Sequence, residues 1–185
     1  VIRDPNGQII KKNLEIEQRK YNTQIIDGLP KNKVIPPEHV WERIKKEALE
    51  VKNARMKTIL EPYYLSGFDW PVKGTITGVY GSQRILNGKP RRPHYGIDIA
   101  GKIGTNILST SDGVVIYKAK DLYFSGGTLI IGHGQGLTST YLHLETIGVE
   151  IGQIVKKGQK IATMGASGRV TGPHLDWRME LNGAR

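Results

Sequence analysis

No cysteine occurs in the 185 residues of this chain, so neither a disulfide nor a thiolate zinc site is available, and any metal it holds falls to His, Asp and Glu. Cytosol, periplasm and exterior all remain compatible with that. Long apolar runs are missing too: none approaches the roughly 18 residues of a membrane-spanning helix, and the first residues lack the charged-then-apolar pattern of a signal peptide. The chain starts without Met at VIRDPNGQII and stops at LNGAR directly after an expected strand, which reads as a segment of a longer protein whose targeting or anchoring part lies elsewhere. Acidic residues are scarce, with 17 Asp+Glu against 27 Lys+Arg, and the formal charge of +10 favours an anionic partner. The excess is diffuse: 13 basic and 8 acidic residues over 1–60, 14 and 9 over 61–185. Basic residues are not interleaved with aromatics and no nucleic-acid motif stands out, so nucleic acid is not expected as a partner.

What is there divides near EPYYLSGFDWPVKG (61–74), giving an N-terminal arm and helix over 1–67 and a β-domain over 68–185. Before the break, YNTQIIDGLPKNKVIPP reads as an extended, Gly- and Pro-punctuated arm. The stretch that follows opens on Pro36-Pro37 and Glu38 and repeats Val40, Ile44, Ala48, Val51 and Arg55 at spacings of three to four, which predicts one amphipathic helix over 37–60 packed on the core. After the break, short apolar runs recur between turn signals: GTITGVYG, HYGIDIA, GVVIYKA, GTLIIGHG, TSTYLHL, IATMGASG and LDWRMEL. They predict a mainly β fold, an antiparallel β-sandwich or barrel with a duplicated hairpin motif. VEIGQIVKKGQKIATMG has the look of a biotinyl or lipoyl carrier hairpin, but its tip, Thr163-Met164-Gly165-Ala166, offers no lysine to modify.

Several polar residues are not what a β-core asks for. His94 and Asp98 in PHYGID are four apart, and His174 and Asp176 in PHLD are two apart, so each pair shares one face of an extended segment. Gly96 lets the backbone come close to whatever the first pair holds. His143 stands in YLHL. His133, at a strand end in IIGHGQG, reads as a local hydrogen-bonding residue, and His39 as surface.

PHYGIDIA, YLHL and TGPHLDWRMELNG, in that order and spacing, resemble the successive motifs of the lysostaphin/LytM-type zinc endopeptidases that cut bacterial peptidoglycan cross-links. The likeness covers about 68–185, and the 1–67 segment is more weakly similar to what precedes this domain in periplasmic, membrane-anchored members. It implies a shallow groove with one Zn²⁺ held by His94, Asp98 and Asp176, with His143 and His174 as catalytic residues and Tyr95 and Tyr141 lining the groove for substrate. Peptidoglycan is the implied partner, the periplasm or cell envelope the implied location, and a membrane anchor would lie outside this chain.

Position 176 is normally a histidine in that family. An Asp oxygen, like an imidazole Nδ1, sits one bond beyond Cγ, so Asp176 can reach the same ion without moving its strand. Two carboxylates would cancel the dication and make Mn²⁺ more competitive. The expected chemistry is metal-assisted hydrolysis with His174 as base and His143 donating a hydrogen bond to the oxyanion. The altered ligand also leaves open a catalytically inactive LytM-like module that binds peptidoglycan or activates a partner hydrolase.

Overall fold

The computed structural model describes residues 2–3, 7–10, 15 and 17–184, so parts of the expected arm and the terminal Arg185 lie outside the described residues. The N-terminal part contributes strands β1 (Ile2–Arg3), β2 (Ile9–Ile10) and β3 (Thr23–Ile26) and helices α1 (Lys31–Val34) and α2 (Trp41–Arg55). The rest is β: β4 (Thr75–Gly78), β5 (Gln83–Leu86), β6 (Lys89–Pro90), β7 (Ile97–Ala100), β8 (Asn106–Leu108), β9 (Gly113–Leu122), β10 (Gly126–Gly134), β11 (Leu137–Ile147), β12 (Ile154–Val155), β13 (Lys160–Met164) and β14 (His174–Leu181).

The main sheet runs β12-β9-β10-β11-β14-β7-β4, with β13 pairing both β11 and β8, and its pairings are antiparallel throughout. This is the expected mainly β, antiparallel architecture. Its core gathers inward-facing residues from most strands, including Ile99, Ile107, Leu129, Ile131, Tyr141, Ile161, Met164 and Leu175. Truncating any of the large aliphatic ones to Ala removes contacts that the packed neighbours cannot refill, at about 2–5 kcal/mol each.

The helix is shorter than the expected 37–60. A 3₁₀ turn over Glu38–Val40 leads into α2, which ends at Arg55. The residues after it bond to the sheet instead: the Ile59 carbonyl accepts from the Gln135 N–H (3.1 Å), and Leu60 O from Gln135 Nε2 (3.3 Å). Glycine permits this crossing, since a Cβ at Gly132 would run into Ile59 and one at Gly134 into the Glu61 carbonyl. Nor is α2 held by apolar packing, as only Ala54 is buried. Polar contacts dock it: Glu47 accepts the Tyr123 N–H (2.8 Å), Arg43 Nη2 donates to Asp121 O (2.5 Å), and Arg55 pairs with Glu180 (3.2 Å). The predicted stripe of Ile44, Ala48 and Val51 therefore faces an open groove instead of a core. No helix among the described residues is long and apolar enough to cross a membrane.

The arm is fastened to the β-body. Strand β3 pairs in parallel with β5, and Leu29 and Val34 join Leu86 in a second small core. Asn87, at positive φ, accepts the Leu29 N–H (3.2 Å) and donates to its carbonyl (2.8 Å), while Lys33 Nζ donates to Tyr123 O (2.6 Å).

His39 is exposed, as expected, whereas His133 is fully buried inside β10. Its Nδ1 donates to the Asp112 carbonyl (2.7 Å) and its Nε2 lies 2.7 Å from the Ser139 hydroxyl. Burial pushes its pKa below the ordinary histidine value. The unfolded chain therefore takes up this proton first as pH falls, so the contribution of neutral His133 is complete above the unfolded value of about 6.5 and is lost below it. The urea midpoint is expected to fall between pH 7 and pH 5, and H133N is expected to lose part of that fall; an identical pH dependence in H133N would show that His133 is not involved.

Candidate metal centre

Strand pairing brings two carboxylates face to face. In the β7/β14 ladder Asp98 is directly opposite Asp176, and Gly78 of β4 flanks Asp98 on its other side. Like charges at such positions repel. Each is answered by an arginine: Arg84 Nη2 pairs with Asp98 Oδ2, and Arg178 grips Asp176 with Nε to Oδ1 at 2.9 Å and Nη2 to Oδ2 at 2.5 Å. Both carboxylates are buried. Burial opposes the charge on Asp176, but the adjacent Arg178 guanidinium overrides it and holds the carboxyl well below the usual carboxylate range. Two glycines make the approach possible. A Cβ at Gly78 would collide with Asp98 Oδ2, and one at Gly96 with Asp176 Oδ1. What Gly96 admits is thus the carboxylate of the neighbouring strand.

His94 completes the group. It is buried, its Nε2 stands 3.1 Å from Asp98 Oδ1, and neither atom has a hydrogen-bond partner among the described residues. One donor atom each from His94, Asp98 and Asp176 lie within 4.8 Å of one another. Zinc bonds of about 2 Å in a tetrahedral site place donors slightly over 3 Å apart, so these three residues fit a divalent ion, with the orphaned nitrogen and oxygen as its first claimants. Carboxylate oxygens carry several lone pairs, so an arginine and an ion can share one carboxylate. The charge balance differs from the sequence expectation. Arg84 and Arg178 offset the two carboxylates, which therefore do not cancel a dication.

The two remaining histidines stand beside this group. Tyr141 pairs with Leu129 and Leu144 with Gly127, so Leu142 and His143 together oppose Thr128: a β-bulge, with His143 at φ +64°. The bulge re-aims a side chain that strict alternation would send elsewhere. His143 Nδ1 donates to the Ser167 carbonyl (2.8 Å) and His174 Nδ1 to the Gly172 carbonyl (2.9 Å). Carbonyls only accept, so both Nδ1 atoms carry the proton and both Nε2 atoms present lone pairs. The rings are 4.8 Å apart, tilted by 54°. Burial pushes His143 down to about 4, so it is neutral at physiological pH. A neutral His143 with this tautomer presents an acceptor to the cleft.

A cleft of about 340 Å³ contains Asp98, His143, His174 and Asp176, and Gln24, Ile26 and Leu29 of the arm form one of its walls. Of the two tyrosines expected to line it, Tyr141 does not. It is fully buried in the core, where its hydroxyl accepts the Thr110 N–H (3.0 Å), because strand alternation turns it inward. Tyr95 does not line it either: it is half-buried, its ring 6.2 Å from that of Tyr80. Sequence reasoning missed Arg84 and Arg178. Arg178 was within reach, since the same two-residue spacing that joins His174 to Asp176 joins Asp176 to Arg178.

The model of peptidase family M23 matches residues 92–185. The chain is 44% identical over 114 residues to the peptidoglycan DD-endopeptidase ShyB of Vibrio cholerae, covering 62% of this chain and 24% of that protein. It is 39% identical over 104 residues to the murein hydrolase activator NlpD of Escherichia coli K12, covering 56% and 26%. The chain thus spans about a quarter of the length of these curated relatives. Among solved structures, one described as a peptidase M23 from Pseudomonas aeruginosa matches at TM-score 0.70 and 34% identity over 80% of this chain and 60% of that one. A zinc-containing peptidase from Vibrio cholerae matches at TM-score 0.59 and 39% identity, over 63% and 37%.

Protein purified without added metal is expected to carry one divalent ion per chain, measured by elemental analysis, and D98A to carry none; a full equivalent in D98A would overturn the ligand set. D176H is expected to weaken the ion's binding by about tenfold or more, because the Arg178 charge then stands uncompensated beside a dication. R178Q in the same chain is expected to recover the loss.

Proposed function

Because the chain belongs to peptidase family M23, we propose that it is a zinc-dependent endopeptidase that hydrolyses the peptide cross-links of bacterial peptidoglycan in the periplasm or cell envelope. Residues 68–185 form the peptidase domain and 1–67 its arm. The observation that carries this reading is the convergence of His94, Asp98 and Asp176 with two histidines whose Nε2 lone pairs are both available. Zinc, or Mn²⁺ in its place, supplies Lewis-acid polarisation of the scissile carbonyl and of water.

The chain's own residues do the rest. His174 Nε2 takes a proton from the attacking water and, once charged, returns it to the departing amine. His143, kept neutral by burial, accepts the water's second hydrogen and so orients it. Gly172 and Ser167 hold both rings in the required tautomer through their carbonyls. The diffuse positive charge draws the anionic wall polymer in.

A second reading has one observation in its favour: Arg178 already engages both oxygens of Asp176. A chain in which that pair never opens to an ion would bind peptidoglycan or activate a partner hydrolase, and a relative of similar identity is named as such an activator. H174A separates the two. The endopeptidase is expected to keep its metal in H174A while peptide release from sacculi falls by about 10²–10⁴. D176A is expected to lose both. Wild-type protein that releases no peptide with Zn²⁺ or Mn²⁺ supplied, yet sediments with sacculi, would establish the activator reading instead.

A further inference from the structure

Most guanidiniums around the cleft are committed. Arg84 pairs with Asp98, Arg178 with Asp176, Arg55 with Glu180, and Arg91 Nη2 donates to the Val34 carbonyl at 2.6 Å. Arg169 differs: no carboxylate among the described residues lies within ion-pair distance of it, and the charges that it does feel are those of Arg91, Arg84 and Arg178. Burial and these like charges lower its pKa only to about 10, so it remains a cation. Its guanidinium lies 4.6 Å from the centroid of the Phe124 ring, a contact that takes one face of the group and leaves its N–H edge. A partly desolvated cation among like charges is unfavourable by itself, so the fold must hold it there.

The loop that does so is the one that orients His143. The Ser167 carbonyl takes the His143 Nδ1 proton, and the Arg169 N–H, two residues on, bonds the Phe124 carbonyl at 2.8 Å. Between them Gly168 has φ +83°, and a Cβ there would come within 2.5 Å of Phe124 O and 2.6 Å of Gly126 N, so only glycine closes the turn. Arg169 therefore stands at a set position relative to His143. It borders both the cleft of His143, His174 and Asp176 and the larger groove beneath α2, where the two meet. A peptide leading from the cleft into the groove passes its N–H edge.

We propose that Arg169 binds a free carboxylate of the substrate, beside the amide to be cut, and so selects acidic peptides for this site. The proposal rests on the endopeptidase reading and narrows its substrate to peptides with a carboxylate next to the scissile bond. The guanidinium fork matches a carboxylate in two parallel hydrogen bonds, which a carboxamide cannot reproduce, and the incoming anion supplies the counter-charge that the fold withholds.

The test measures equilibrium binding, by titration calorimetry on the full chain with and without zinc, of a cross-linked stem-peptide dimer bearing its free carboxylates and of the same dimer converted to carboxamides. Wild-type protein is expected to prefer the carboxylate form by about tenfold or more. In R169Q the ratio is expected to fall to about one, and in R169K to an intermediate value, since lysine keeps the charge but not the fork. R169Q is expected to melt no lower than wild type because it removes a like-charge contact; a purely structural Arg169 would instead lower the melting temperature. Equal affinity of the two peptides for wild-type protein, or a ratio that survives in R169Q, overturns the proposal. Should R169Q fail to fold, the ratios of wild type and R169K decide the question: an unchanged ratio in R169K overturns the proposal, a reduced one supports it. Absent hydrolysis with the carboxylate preference intact sinks the endopeptidase reading alone, whereas hydrolysis of both dimers with no preference sinks this proposal alone.

Discussion

Two carboxylates buried side by side on adjacent strands would push β7 and β14 apart unless something positive stood between or behind them, and most features of the site are answers to that repulsion. Asp98 and Asp176 are register partners, so no rotamer choice can separate them far. Arg84 and Arg178 supply the charge, and glycine at 78 and 96 supplies the room that those side chains occupy. Removing one partner from a buried pair of this kind costs about 3–5 kcal/mol, because the other charge remains buried without compensation. The six positions therefore act as one unit although they are spread over β4, β5, β7 and β14 and the turn before β7.

The same unit links the arm to the site. Arg84 belongs to β5, whose edge is paired by β3 of the arm, and Gln24 of β3 donates to the Thr77 carbonyl (2.8 Å) one residue before Gly78. Ile26 and Leu29 follow on the wall of the cleft. The arm thus forms part of the cleft wall, and it pairs with the strand that carries one of the two arginines balancing the carboxylates.

Periodicity made the strands legible: alternation in the runs around Asp98 and Asp176 correctly put each polar pair on one face, and the turn residues between runs marked the antiparallel order. Three features were hidden for different reasons. Ile59 and Leu60 continue the spacing of the helix and so extend its expected range to residue 60, yet their backbone groups find partners in the turn at Gln135, a contact 75 residues away that no local window contains. Tyr141 and His143 are two apart and ought to share a face; the bulge at Leu142–His143 breaks that rule, and so one is core and the other lines the cleft. Arg84 pairs with a residue 14 positions on, across two turns, and only the fold reveals it.

The arginines also change what an ion would mean to this protein. A site of bare carboxylates depends on its metal for electrostatic relief, so ion loss and unfolding go together. Here the guanidiniums already balance Asp98 and Asp176, and the fold is neutral at this point before any ion arrives. An ion entering it gains little from net charge and must be held by geometry: the His94 nitrogen and the Asp98 oxygen that have no hydrogen-bond partner among the described residues. It would in turn keep its double charge, since the carboxylates are already offset, and a dication with undiminished charge polarises a carbonyl more strongly than a neutralised one. The arrangement that weakens the attraction for the metal thereby strengthens what the metal could do, and that opposition is why affinity and hydrolysis have to be read separately in this chain.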